Sequence, residues 1–283
     1  TQMKMALSNT LLQEKFFFAS NDAEYYDDTI ELTVPYYAVI HQTMIDILNY
    51  HFGVIFGSKF KKIKGIVLDV GAGTGKESIS VLNNFPNLNV LAIDLCPPME
   101  HIFERNYRAK FGAKVRKRYK YVIDDITTIS EKDEEITNYY SQKKQGGCKA
   151  AISAYCIHHF PLDEKKEVYQ KMFDFLEPGG ILINMDLFNY ESDSVKKQAH
   201  ISDIEYIKRE FVNPSPQFKN SKKIPLKKRQ VLKEKWIKHM HEDNILDSVE
   251  SQIKILKDIG FTDVECVFKY WQQGVLFAKK PLR

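Results

Sequence analysis

Residues 66–79 read IVLDVGAGTGKESI. A β-branched, apolar run ends in Asp69, glycines follow at positions 71, 73 and 75, and a helical pattern begins at Lys76. The run predicts a strand and the segment after it a helix, with the glycines forming the turn between them. Glycines in such a turn permit positive φ and let a ligand approach bare backbone. In an open α/β sheet that turn stands at the carboxyl end of the first strand, where ligands bind. A dinucleotide loop needs G-x-G-x-x-G, but here the third glycine arrives one residue early and Lys76 takes its place. No G-x-x-x-x-G-K-[ST] run occurs, which excludes a P-loop.

Working outward, β-rich runs alternate with helical segments. GIVLDV, NVLAID, YKYVID, CKAAISAYC and GILINMDLF read as strands one to five, with helices predicted at GKESISVLNNF, PPMEHIFERNYRAKF and DEKKEVYQKMFDFL. SVESQIKILKDIG is a further helix, and FTDVECVFKYWQQGVLFAKK is an antiparallel hairpin turning near 270–273. The expected fold is α/β: a doubly wound, mostly parallel sheet of seven strands with a terminal antiparallel hairpin. Four regions are expected. Residues 1–60 form an N-terminal helical cap and 61–186 a Rossmann-like core. A polar, Lys-rich helical lid inserted after strand five spans 187–245, and 246–283 complete the sheet.

Composition narrows the classes. The 283 residues are 43% hydrophobic and 12% aromatic, as in a globular protein with a substantial core. No apolar run approaches the ~20 residues that span a bilayer, so no membrane partner is expected. The N-terminal stretch lacks a basic region followed by a sustained apolar core, and the four cysteines form no CxxC pair. Reduced thiols and a cytoplasmic location are the expectation. A net charge of +4 is too small to imply nucleic acid.

The glycine turn with Asp69 resembles motif I of the class I S-adenosylmethionine (SAM) dependent methyltransferases. The second strand ends in Asp94, the third in IDDI, and LEPGGILIN precedes the fifth, all as in that family. The resemblance implies SAM as cofactor, S-adenosylhomocysteine as product, and methyl transfer as the activity. It implies a cofactor site built from Asp69, Gly71, Ala72, Gly73 and Gly75, with Asp94 and Leu95 at the ribose. Asp125 and Ile126 would meet adenine, with Ala154 at the end of strand four.

FASNDAEYYDDTIELTVPYYAVI (18–40) and the segments within 229–261 further resemble carboxy-SAM synthase. That likeness implies that Tyr37 reaches the methionine carboxylate, that Arg229 is a substrate-carboxylate arginine acting across a subunit interface, and that a homodimer forms. The synthase carries Asn where this chain has Ala154, and its glycine loop is irregular. An ordinary methyltransferase acting on a small anionic or aromatic acceptor is therefore preferred. Carboxy-SAM synthesis for tRNA wobble-uridine modification is the enzymatic alternative, and a SAM-binding partner subunit the non-enzymatic one.

For acceptor chemistry, His158 and His159 follow strand four, as a base or substrate contact or else as structural residues. Asp186 ends strand five, with a strand-end hydrogen bond as its alternative. Tyr25, Tyr26, Arg229 and Trp236 are candidate acceptor contacts. Between Gln217 and Met240 nine Lys or Arg face one acid. A solvated helix face is the first reading, an anionic acceptor gripped by Arg229 the second, and RNA the third. HMHEDN (239–244) brings together His239, His241, Glu242 and Asp243. Histidines two apart diverge on a helix, so no metal site is expected.

Overall fold

A computed structural model describes residues 21–56, 63–130, 132–143, 146–218 and 220–283. Of the expected N-terminal cap, residues 1–20 and 57–60 thus lie outside the described part. Strands β1 (Gly65–Val70), β2 (Leu88–Asp94), β3 (Tyr119–Ile123), β4 (Cys148–Ala154), β5 (Leu176–Leu187), β6 (Thr262–Tyr270) and β7 (Gln273–Lys279) form one sheet in the order β3-β2-β1-β4-β5-β7-β6. β1 to β5 pair in parallel, while β7 runs antiparallel to both β5 and β6. The hairpin turns on Trp271 and Gln272, where Trp271 takes φ +45°. The sheet and its terminal hairpin match the expectation. Strand five begins earlier than expected, at Leu176, because Leu176 pairs with Cys148 before the register shifts ahead of Ile181.

Among the described residues the eight longer helices are α1 (Tyr37–Phe56), α2 (Lys76–Asn84), α3 (Pro97–Phe111), α4 (Glu134–Lys143), α5 (Leu162–Phe175), α6 (Asp193–Val212), α7 (Leu226–Glu242) and α8 (Val249–Ile259). Local signals set their ends. Pro97 and Pro98 open α3, where a missing N–H costs no helical bond. Ser248 caps α8 by accepting the Ser251 amide at 3.1 Å, and Gly260 ends it at φ +115°.

Every residue of β1 is buried, as a central strand covered on both faces requires. One apolar layer joins α1, α2, α6 and α7 to the sheet through Met44, Leu48, Val81, Phe211 and Leu232. The other packs α5 and α8 on the opposite face through Val168, Met172 and Leu256. Short helical turns over Asn21–Leu32 precede α1. They are fastened to the segment after β5: Trp236 Nε1 donates to Thr29 Oγ1 at 3.1 Å and Tyr206 Oη to Glu31 O at 3.2 Å. Lys228 and Lys235, themselves partly exposed, both pair with buried Asp22, so part of the basic run ties α7 to the N-terminal turns.

Candidate active site

Because β1, β2, β4 and β5 run in parallel, their carboxyl ends put the glycine turn, Asp94, the segment from Ala154 and Asp186 along one edge of the sheet. The three glycines differ in what they face. Gly71, Gly73 and Gly75 all take positive φ, at +71°, +49° and +85°. A Cβ on Gly71 would stand 2.4 Å from Cys156 Cβ, and one on Gly75 2.4 Å from Phe103. At Gly73 the nearest atom would be 3.9 Å away. Gly71 and Gly75 are therefore required by packing, and Gly73 alone presents open backbone to a ligand.

The Gly73 peptide is fixed from both sides. Its N–H donates to Asp94 Oδ2 at 2.8 Å, and its carbonyl accepts from Tyr121 Oη at 3.2 Å. Asp94 Oδ1 accepts the Cys96 amide at 2.7 Å, which leaves each carboxylate oxygen further lone pairs for ligand hydroxyls. Burial raises the Asp94 pKa, against the lowering effect of the two amides. Asp69 is turned away from this opening. It is 1% exposed and accepts from Ser78 Oγ at 2.5 Å, tying α2 to the end of β1. Burial pushes its pKa to about 7 and that of nearby Glu77 to about 8.

The N-terminal turns close over the loop. Asp27 accepts from Thr74 Oγ1 at 2.5 Å and from Asn106 Nδ2 at 2.7 Å. Buried Tyr37 has Lys76 Nζ 4.2 Å above its ring, His41 4.2 Å away and Tyr155 5.9 Å away between centroids. Asp125 turns inward on itself, its Oδ1 accepting from the Thr127 amide and hydroxyl at 2.9 and 2.8 Å, beside buried Ile126. Ala72 is buried, while Leu95 and Ala154 are partly so.

Beyond the end of β4 lies a small cleft. Tyr26, Tyr155, His158, His159, Trp236 and His239 are among its walls. The structure thus brings four of the expected residues, Tyr26, His158, His159 and Trp236, to one cavity. Asp186 is fully buried and makes the strand-end bonds offered as its alternative reading: Oδ2 accepts the His158 amide at 3.0 Å and Oδ1 the Leu187 amide at 2.9 Å. The same Oδ1 lies 2.5 Å from His158 Nδ1, so the carboxylate orients an imidazole that lines the cleft. Tyr25 lies under Lys228, 5.0 Å from ring centre to Nζ. Arg229 is not brought to the cleft; its Nη1 donates to Phe211 O in the last turn of α6 at 3.2 Å.

Several cleft residues escaped the sequence reading. Tyr155 sits at φ +52°, and its buried hydroxyl finds no hydrogen-bond partner among the described residues. Asn244 and Gln273 also line the cleft. His239, considered only beside His241, instead faces the His158–His159 pair, with its ring centroid 5.1 Å from that of His159. His241 does diverge, meeting His200 edge to face at 4.6 Å between centroids. Burial lowers the pKa of His159 well below the usual imidazole range and that of His239 to about 4. A residue pairing across 80 positions leaves no local pattern to read.

Comparison with known proteins agrees with this architecture. Residues 67–180 match the methyltransferase domain family. Carboxy-S-adenosyl-L-methionine synthase of Nautilia profundicola is 23% identical, over 98% of this chain and 100% of its own length. The enzyme of that name from Helicobacter hepaticus is also 23% identical, over 98% and 100%. Magnesium protoporphyrin IX methyltransferase from Synechocystis, solved with S-adenosylhomocysteine, shares the fold at TM-score 0.55 and 14% identity, over 96% of this chain and 99% of its own. Residues 67–180 are a methyltransferase domain on the class I fold, and SAM is its cofactor. No helix among the described residues is long and apolar enough to cross a membrane.

Proposed function

We propose that the chain transfers the SAM methyl group to a small acceptor bound in the cleft beside β4. The observation that carries this reading is the shared wall between loop and cleft. Cys156 packs on Gly71, and the adjacent Tyr155 lines the cleft, so a ligand on the Gly73 backbone would direct its reactive end toward His158. In this reading Asp94 accepts the ribose hydroxyls, and Ile126 with the Asp125 segment meets adenine. Gly73 supplies the bare backbone, and Tyr37 closes on the amino-acid end. Asp69, Gly71, Ala72 and Gly75 shape the loop without needing to touch the ligand.

Methyl transfer from a sulfonium requires in-line approach and exclusion of water more than acid–base machinery. The turns at 21–32 with α6 and α7 supply a cover, and Tyr26, Tyr155 and Trp236 supply an aromatic enclosure that favours the sulfonium. His158, with Nδ1 held by Asp186, lines the acceptor side of the cleft. An aromatic or anionic molecule fits such walls. A second reading, carboxy-SAM synthesis, is favoured by the full-length match to enzymes of that name. Against it, Ala154 stands where the synthase carries Asn.

Mass spectrometry of the small molecules released on denaturing purified protein tests the choice. SAM or S-adenosylhomocysteine supports methyl transfer. SAM bearing an added carboxyl group would establish the second reading instead, and a protein that neither carries nor binds SAM would remove both.

A further inference from the structure

We propose that His158, His159 and His239 form a binding site for a divalent first-row transition metal, zinc-like in its preference, opening onto the cleft. The ligand atoms these residues offer all lie within 4.8 Å of one another. They come from two elements, the turn after β4 and the last turn of α7. That convergence is pinned: the Ile245 amide donates to His158 O at 2.8 Å, and the Lys165 ammonium bonds both the Ile245 carbonyl and Asp247.

The outer contacts argue for a metal rather than for packing alone. His158 Nδ1 meets Asp186 Oδ1 at 2.5 Å, His239 Nδ1 meets Asp243 Oδ2 at 2.6 Å, and His159 Nδ1 meets Asp243 O at 3.2 Å. Each imidazole thus has an oxygen partner at Nδ1, the arrangement that fixes Nε2 as the metal-binding atom in histidine sites. Zn–N bonds of about 2.0–2.1 Å place tetrahedral nitrogens roughly 3.4 Å apart, so the ligand atoms would draw together by up to about 1.4 Å on binding. Asn244 Oδ1, buried and with no hydrogen-bond partner among the described residues, borders the same cleft. Three histidines on a divalent ion leave a fourth position for a substrate.

That open position suits an acceptor with a hydroxyl or thiol, a class assignment that rests on the methyl-transfer reading, whereas the metal site does not. The acceptor loses its proton to solvent on binding, and its oxygen or sulfur attacks the methyl carbon of SAM. The S–CH3 bond then breaks toward sulfur, giving the methylated acceptor and S-adenosylhomocysteine.

Zinc binding by the full chain, in equilibrium dialysis with elemental analysis, tests the site, and Co2+ in place of zinc reports its geometry by visible absorption. The expectation is one tightly held zinc per chain and an intense, tetrahedral-type cobalt spectrum. His239→Ala should lose about 100-fold or more in zinc affinity and Asp243→Asn about 10-fold, while both keep wild-type SAM affinity. SAM binding separates the two ideas: its loss in wild type would count against the methyltransferase site and leave the metal site standing. Zinc bound no better by wild type than by His239→Ala would overturn the proposal. So would Asp243→Asn that folds, binds SAM and holds zinc as wild type does.

Discussion

Thr74, in the glycine turn, donates its hydroxyl to Asp27 Oδ1 at 2.5 Å across 47 residues of chain. Asp27 Oδ2 takes a second bond from Asn106 on α3 at 2.7 Å, so one carboxylate joins the N-terminal turns to two sides of the proposed cofactor site. Removing it should loosen the cover without unfolding the sheet. Asp27→Ala is expected to raise amide exchange across 21–36 and weaken SAM binding about 10-fold, the size of one or two charge-assisted hydrogen bonds. Unchanged exchange in that segment would show that the cover is held by other contacts.

The glycines separate packing from ligand access. Gly71→Ala forces a Cβ within 2.4 Å of Cys156 at φ +71°, and should cost about 2–4 kcal/mol of stability by overpacking and strain. Gly73→Ala meets open space and carries only the left-handed penalty of about 1–2 kcal/mol, yet should abolish most SAM affinity. Denaturant melts and SAM titrations of the two variants check this contrast. Equal stability losses would erase the distinction.

Asp186 satisfies two backbone amides and the His158 ring from a fully buried position. Asp186→Ala leaves those donors unpaired and should destabilise by about 3–5 kcal/mol in urea. In the wild type, ring-nitrogen NMR of the metal-free protein should find the His158 proton on Nδ1 at neutral pH. A proton on Nε2 would remove Asp186 from the orienting role.

Stability should fall as pH rises from 6.5 to 8. Burial raises Asp69 to about 7 and Glu77 to about 8, from ordinary values of 3.8 and 4.5. Well below pH 3.8 both are protonated whether folded or not, so the full stability is present. Above it the unfolded chain releases its protons first and folding is progressively penalised until the folded-state values are passed. His41, held down to about 3, acts oppositely but only below 6.5. Thermal melts of Glu77→Gln should lose about half of the decline between pH 6.5 and 8. A slope identical to wild type would assign the decline to other groups.

The sheet was legible because β1 to β5 are short apolar runs separated by helices with proline or glycine punctuation, and because the hairpin strands carry β-rich patterns. The glycine turn was legible as a ligand loop, but not the division of labour within it. Gly71 and Gly75 answer to Cys156 and Phe103, far away in sequence, and no spacing rule records that. Asp186 and the histidines were legible as neighbours at strand ends. What they do depends on which direction α7 enters, and that is set by Trp236 on Thr29 and the lysine pairs on Asp22. The convergence of His239 on His158 is a product of that docking alone.

Calorimetric titration of SAM into wild type and Asp94→Asn tests the central claim most directly. The asparagine keeps an acceptor for the Gly73 amide while removing the charge and an acceptor from the ribose site. Wild type should bind one SAM per chain, and Asp94→Asn should bind about 10- to 100-fold more weakly with an unchanged melt. Equal affinity in the two proteins, or no binding by wild type at millimolar SAM, would contradict a cofactor site built on Gly73 and Asp94.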